Sequence, residues 1–169
     1  MSFYWLCDIL EQVKHRNPIY RKGGRMEREY PTQLYLDYIF DPDWSVECII
    51  DTYKNDPYGF EIFVAWLCQD MGYEAQVTQQ AHDGGYDIRL QRDGQVYLVE
   101  CKCFASNHAI GRPVLQQLVG ANAVQHADGV VCVTTSHFSP EAIRYAAQAG
   151  VNLIDGNELT TLIRRFLVV

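Results

Sequence analysis

What the sequence withholds narrows its class. It has no run of about 18 apolar residues, so no membrane-spanning segment is expected. Its six cysteines (Cys7, Cys48, Cys68, Cys101, Cys103 and Cys132) form no Cys-x-x-Cys pair, and no histidine pair stands at zinc spacing. A domain of this size needs no disulfides, so the cysteines are read as reduced thiols of a cytoplasmic protein. The opening MSFYWLCDILEQVKHR has neither a charged leading segment nor a small-residue cleavage site, so no secretory leader is expected. Internal repeats and low-complexity tracts are absent. Basic charge is scarce: 14 Lys and Arg stand against 21 Asp and Glu, a net charge of −7. On charge alone this is a poor match to phosphate polymers, whose affinity comes from Lys and Arg. Lysine is scarcest in the larger part of the chain, where Lys102 is the single one among residues 58–169.

What is present suffices for a core. The 169 residues are 48% hydrophobic and 21% charged, the composition of an ordinary globular domain. The texture changes near residue 57. Residues 1–57 are expected to form a mostly helical N-terminal extension of unknown role. Helices are predicted over 3–14, 32–40 and 45–54, the last capped by Asp43, with a basic, turn-rich stretch over 15–31. Residues 58–169 alternate between helix and strand patterns. Helices are predicted at 58–71, 113–126, 139–149 and 157–166, and strands at 74–79, 86–91, 95–102, 129–134 and 151–154. Asp93-Gly94 joins the second and third strands as a hairpin. A hairpin followed by βαβ units implies an α/β fold with a mixed central sheet flanked by helices.

The hairpin concentrates the chemistry. Side chains alternate along a strand, so Glu100 and Lys102 share a face of 95–102 while Cys101 and Cys103 take the other. Asp87 enters the preceding strand 13 residues before Glu100, near the open end of the hairpin. Two carboxylates brought that close repel each other unless a cation separates them. With water they suit Mg²⁺, which takes hard oxygen ligands. A neighbouring lysine can hold or deprotonate a water, or neutralise a phosphate. Glu-x-Lys alone is common as a strand-end ion pair; preceded by Gly-x-Asp across a hairpin it reads as a site.

The segments GFEIFVAWLCQDMGYEAQVTQQAHDGGYDIRL, GQVYLVECKCF, IGRPVLQQLVGA and GVVCVTTSHFSPEAIRYAAQAGVNLIDGNEL, taken in order, resemble the Mrr-type restriction endonuclease domain of the PD-(D/E)xK nuclease superfamily. The resemblance runs over about residues 58–163. It implies a restriction-endonuclease-like mixed sheet and Mg²⁺-dependent hydrolysis of DNA phosphodiesters, with 5′-phosphate and 3′-hydroxyl products and with Mn²⁺ able to substitute. Carried over residue by residue, it implies catalytic roles for Asp87, Glu100, Lys102, Glu61 and Gln116. The metal ligands would be Asp87, Glu100, Glu61 and the backbone carbonyl of Cys101. The resemblance does not reach residues 1–57.

Binding residues follow from charge and place. Arg16, Arg21, Lys22, Arg25 and Arg28 fall close together, and Arg21, Lys22 and Arg25 are candidate DNA contacts although Glu27 and Glu29 are interleaved. Arg112, before Pro113, is a fourth. Asp83, His82 and His108 are secondary candidates, each equally readable as turn or surface. Thr134-Thr135-Ser136 reads as turn chemistry and a cap for the helix at 139–149. Double-stranded DNA is the expected partner, with a homodimer or larger assembly for cutting both strands. A nuclease of the same fold acting on RNA or branched DNA, and a non-catalytic nucleic-acid-binding subunit of a defence or repair assembly, remain open at this level.

Overall fold

A computed structural model of the chain describes residues 45–78 and 84–166. The helices expected at 3–14 and 32–40 lie outside the described residues, as do Arg21, Lys22, Arg25, Asp43, His82 and Asp83. The chain divides into two compact units, Met1–Phe40 and Asp41–Val169. Everything described belongs to the second.

That unit orders its elements as α1 (Val46–Tyr53), α2 (Pro57–Asp70), β1 (Glu74–Val77), β2 (Ile88–Arg92), β3 (Gln95–Lys102), α3 (Arg112–Gln125), β4 (Gly129–Thr134), α4 (Pro140–Ala149), β5 (Val151–Ile154) and α5 (Gly156–Phe166). The strands form one sheet in the order β1-β2-β3-β4-β5. Pairing is antiparallel from β1 through β3 and parallel from β3 through β5. This is the mixed, helix-flanked sheet that the hairpin-then-βαβ pattern implies.

The helix ends follow local chemistry. Asp56 caps α2, accepting from the Gly59 amide at 2.9 Å, and Pro57 takes the first turn, where no amide is needed. Ser139 caps α4 in the same way, accepting from the Ala142 amide at 3.1 Å, and Gly150 closes it in the left-handed conformation. Asp155 accepts from the amides of Asn157 and Glu158, opening α5. In the β2–β3 hairpin Asp93 and Gly94 both take positive φ (50° and 81°), as a two-residue primed turn requires.

α1 corrects the boundary drawn at residue 57. Its cap is Ser45, whose hydroxyl accepts from the Cys48 amide at 3.2 Å, in place of the expected Asp43. Ile49 is fully buried, and the Tyr53 ring lies 5.4 Å from Phe63 and 6.0 Å from Phe60 of α2. The helix therefore belongs to the compact unit of the sheet. Proline 57 marks only a tight turn between two packed helices.

Helix α2 covers β1, β2 and β3, while α3 and α4 lie against β3, β4 and β5. On the second side Leu98, Val130 and Cys132 pack with Leu115, Leu118, Ala142 and Ala146. Leu98, Leu115 and Leu118 are fully buried, each contributing about 2 kcal/mol of apolar burial.

Candidate active site

The site forms where β2 runs out beside β3. The ladder between them ends at Ile88↔Val99. One residue earlier, the Asp87 amide still donates to the Val99 carbonyl at 2.8 Å, and the Asp87 carbonyl accepts from the Thr78 amide at 2.8 Å. Beyond that point the next rung is made by a side chain: Oδ2 of Asp87 accepts from the Cys101 amide at 2.7 Å. The Asp87 backbone is thus held on both sides, and its carboxylate by the Cys101 amide. A turn at Gly85 feeds it in. Gly85 has φ +76°, and a Cβ there would meet Ala121 of α3 at 3.1 Å, so glycine suits both the angle and the space.

The last three residues of β3 are paired on their other edge with β4, as Glu100↔Cys132, Cys101↔Val133 and Lys102↔Thr134. Glu100 is buried at 8% exposure and forms an ion pair with the half-buried Lys102. Strand alternation sends both toward α3 and α4, and sends the buried Cys101 side chain to the α2 face. The amide and carbonyl of one strand residue project to the same edge, so the Cys101 carbonyl leaves on the edge where its amide meets Asp87. Cys103, expected opposite Glu100 and Lys102 like Cys101, stands past the end of β3 at Lys102, where strand alternation no longer assigns a face.

The charges feel one another. Burial raises the Asp87 carboxyl above its ordinary range, against the Cys101 amide and Lys102, which pull it down. Burial and then the nearby Asp87 raise Glu100, against its bond to Lys102. Burial alone would lower Lys102, but Glu100 and Asp87 hold it above its ordinary value, as a firmly protonated ammonium. Glu61 of α2 belongs to the same field. Burial, then Asp87, push it to about 7; Lys102 opposes, and Glu100 and Asp56 add to the rise.

Among the described residues no three His, Cys, Asp or Glu side chains converge as a ready metal cage. The donor set nevertheless fits a hard divalent ion. Asp87, Glu100 and the Cys101 carbonyl offer only oxygen, and Mg²⁺ is commonly held by one or two carboxylates with water filling the rest. Burial is the main cause of the raised carboxyl groups, and Lys102 is their near counter-ion.

The remaining sequence candidates divide. Gln116 is exposed on the first turns of α3 and has no hydrogen bond to Asp87, Glu100 or Lys102. Arg112 is engaged by α4: its guanidinium is 3.7 Å from Glu141 and 5.0 Å from the centre of the Tyr145 ring. His108 is exposed, its ring 4.6 Å from that of Phe104 in an edge-on contact. The Thr134-Thr135-Ser136 run does not cap α4, because Ser139 does. All three are buried and bond back to residues 102–108. Sequence reading missed that role, and Asp56 beside Glu61. The only local signal was three hydroxyls in a row after an apolar strand.

With this geometry in place, comparison with known proteins decides the family. The Mrr_cat family, described as restriction endonuclease, matches residues 52–163. The chain belongs to that family. A curated member, the type IV methyl-directed restriction enzyme EcoKMrr of Escherichia coli K12, is 35% identical over 126 residues, 69% of this chain. The chain spans 40% of that relative's length. Two solved structures share the fold. The MspJI restriction endonuclease in complex with a 27-mer oligonucleotide has a TM-score of 0.59 and 17% identity, covering 87% of this chain and 35% of its own. The DNA modification-dependent restriction endonuclease AspBHI has a TM-score of 0.58 and 21% identity, covering 99% of this chain and 46% of its own. The family match starts at residue 52, inside α1, in keeping with the packing of that helix on the domain. Among the described residues, no helix of this family member is long and apolar enough to cross a membrane.

Proposed function

We propose that the chain is a divalent-metal-dependent endonuclease hydrolysing phosphodiester bonds of double-stranded DNA, in restriction of foreign or modified DNA. The observation that carries this reading is the grouping at the tip of β3: Asp87 bonded to the Cys101 amide, beside the Glu100–Lys102 pair. The family match and the methyl-directed relative support it. Asp87, Glu100 and the Cys101 carbonyl would hold Mg²⁺, or Mn²⁺ in its place, with Glu61 on the ion's water shell. When bound, such an ion supplies Lewis acidity toward a phosphate oxygen and lowers the pKa of a water.

The chain's own residues do the rest. Lys102 is a protonated donor while Glu100 faces it. With Glu100 among the residues that would hold the ion, the Lys102 ammonium would be left to bond the attacking water or a phosphate oxygen. Glu61, beside Asp87 and Lys102 in the same field, would take or return a proton of a water at the site. Gln116 is assigned the phosphate, and Arg112, Arg21, Lys22 and Arg25 the DNA backbone. Two copies of the chain would serve the two strands.

Cleavage of supercoiled plasmid, methylated and unmethylated, tests this with Mg²⁺ or EDTA, for the wild type and Lys102→Ala in parallel. Nicking or linearisation that needs the metal is expected. Lys102→Ala should lose it by roughly a hundredfold or more while keeping the wild-type circular dichroism. A folded wild type that cuts neither plasmid, single-stranded DNA, branched DNA nor RNA would sink the reading and favour a binding subunit.

A further inference from the structure

Lys102 ends β3, and its carbonyl is doubly held. The Thr134 hydroxyl donates to it at 2.7 Å and the Thr135 amide at 3.3 Å. The Thr135 hydroxyl then engages both polar groups of one backbone residue, accepting from the Phe104 amide at 2.9 Å and donating to the Phe104 carbonyl at 2.7 Å. The Ser136 hydroxyl lies 2.7 Å from the His108 carbonyl and 3.2 Å from that of Ser106. The Ser136 amide in turn donates to the Thr134 hydroxyl at 3.1 Å. These three side chains are 0%, 1% and 5% exposed, whereas residues 105–109 above them are exposed. On the β2 edge, among the described residues, the same stretch of β3 is supported by the Asp87 carboxylate. Buried hydroxyls are retained where they are fully bonded, and here each of the three donates to the chain that carries or follows Lys102.

We propose that Thr134, Thr135 and Ser136 form a hydroxyl clamp that positions Lys102 and fixes the loop after it, setting the aim of the lysine rather than the stability of the sheet. The inference rests on the proposed nuclease reading for what Lys102 does, but not for the clamp itself. Thr134 is a positioning residue: it touches the lysine's backbone, and the ammonium reaches the substrate. A lysine anchored at its own carbonyl on the β4 side, and one residue earlier at the Cys101 amide on the β2 side, explores fewer placements of its long side chain, and a misplacement of about 1 Å can cost about a hundredfold in rate.

The test compares Thr134→Val, which keeps the shape and removes the hydroxyl, with Thr134→Ser, which keeps the hydroxyl. Steady-state cleavage is measured on the full chain with Mg²⁺. For Thr134→Val, kcat is expected to fall roughly tenfold to a hundredfold with KM for DNA within about twofold of wild type. Thr134→Ser should restore kcat. Wild-type kcat in a folded Thr134→Val protein would overturn the proposal. So would a loss that Thr134→Ser fails to rescue.

Hydrogen exchange supplies a readout without activity. The Phe104 amide should be protected in the wild type and lose that protection in Thr135→Val; an unprotected Phe104 amide in the wild type overturns the clamp. If Thr134→Val does not fold, Thr135→Val decides by the same two measurements, and faster Phe104 exchange with unchanged kcat overturns the link to Lys102. A wild type with no cleavage but a protected Phe104 amide marks failure of the nuclease reading while the clamp stands.

Discussion

The two ends of β3 are built on opposite principles. From Tyr97 to Val99 the strand is paired on both edges, with β2 and with β4, and its side chains are apolar and buried. From Glu100 to Lys102 it keeps β4 but loses the β2 backbone, and a side chain of Asp87 takes the vacant rung. Backbone polar groups must find partners wherever they are buried, so an interrupted ladder is a place where a carboxylate can be held rigidly without being neutralised. The uninterrupted half holds the fold together. The interrupted half gathers two carboxylates, a lysine and an outward carbonyl in one place.

Asp87→Asn breaks the tip most directly. The amide oxygen can still accept from Cys101, so the strand should hold, while the anion is gone. Plasmid cleavage should fall roughly a thousandfold, ~4 kcal/mol in the barrier, with the urea midpoint little changed. Leu98→Ala attacks the paired half instead. It should cost about 3 kcal/mol of stability by urea unfolding, with cleavage by the folded fraction retained. If Leu98→Ala impaired the chemistry as much as Asp87→Asn, the division between the two ends would fail.

A pH series sharpens the contrast. Glu61 is raised from 4.5 to about 7, so the folded state holds more protons than the unfolded one between those values. Its contribution is full below about pH 4.5 and is lost as pH rises through about 7. The urea midpoint of the metal-free protein should therefore decline across that window, and Glu61→Gln should flatten the decline. Added Mg²⁺ should stabilise more at pH 7.5 than at pH 5, because fewer protons then compete with the ion for carboxyl groups whose pKa is raised. The smallest effect is expected at the far end of β3. Gly94→Ala places a side chain at φ +81°, costing about 1 kcal/mol, with cleavage unchanged.

Much of this was legible in the chain itself. The strands at 95–102, 129–134 and 151–154 appear with the bounds their apolar runs suggest, because each is a short β-branched run stopped by glycine or a polar turn. β2 begins at Ile88 rather than residue 86: the Asp87 backbone still bonds Val99 and Thr78, but the rung beyond it is made by its carboxylate. Asp87, Glu100 and Lys102 were legible because period-two alternation and a hairpin turn are local rules. The neighbours of Arg112 were not legible because Glu141 and Tyr145 sit on another helix. The threonine–serine run was misread for the same reason: its hydroxyls bond to residues about thirty positions away.

The sequence by itself determined the alternation of helices and strands, the hairpin, and the placing of Glu100 and Lys102 on one strand with Asp87 near the hairpin's open end, because those follow from spacing along the chain. Only the tertiary structure decided that α1 joins the domain, that Asp87 completes a broken ladder, that Glu61 shares the field of the site, and that buried hydroxyls hold the lysine's backbone. Those are facts of proximity between distant segments, and proximity is fixed by packing and by the need to pair every buried polar group, which no local pattern records.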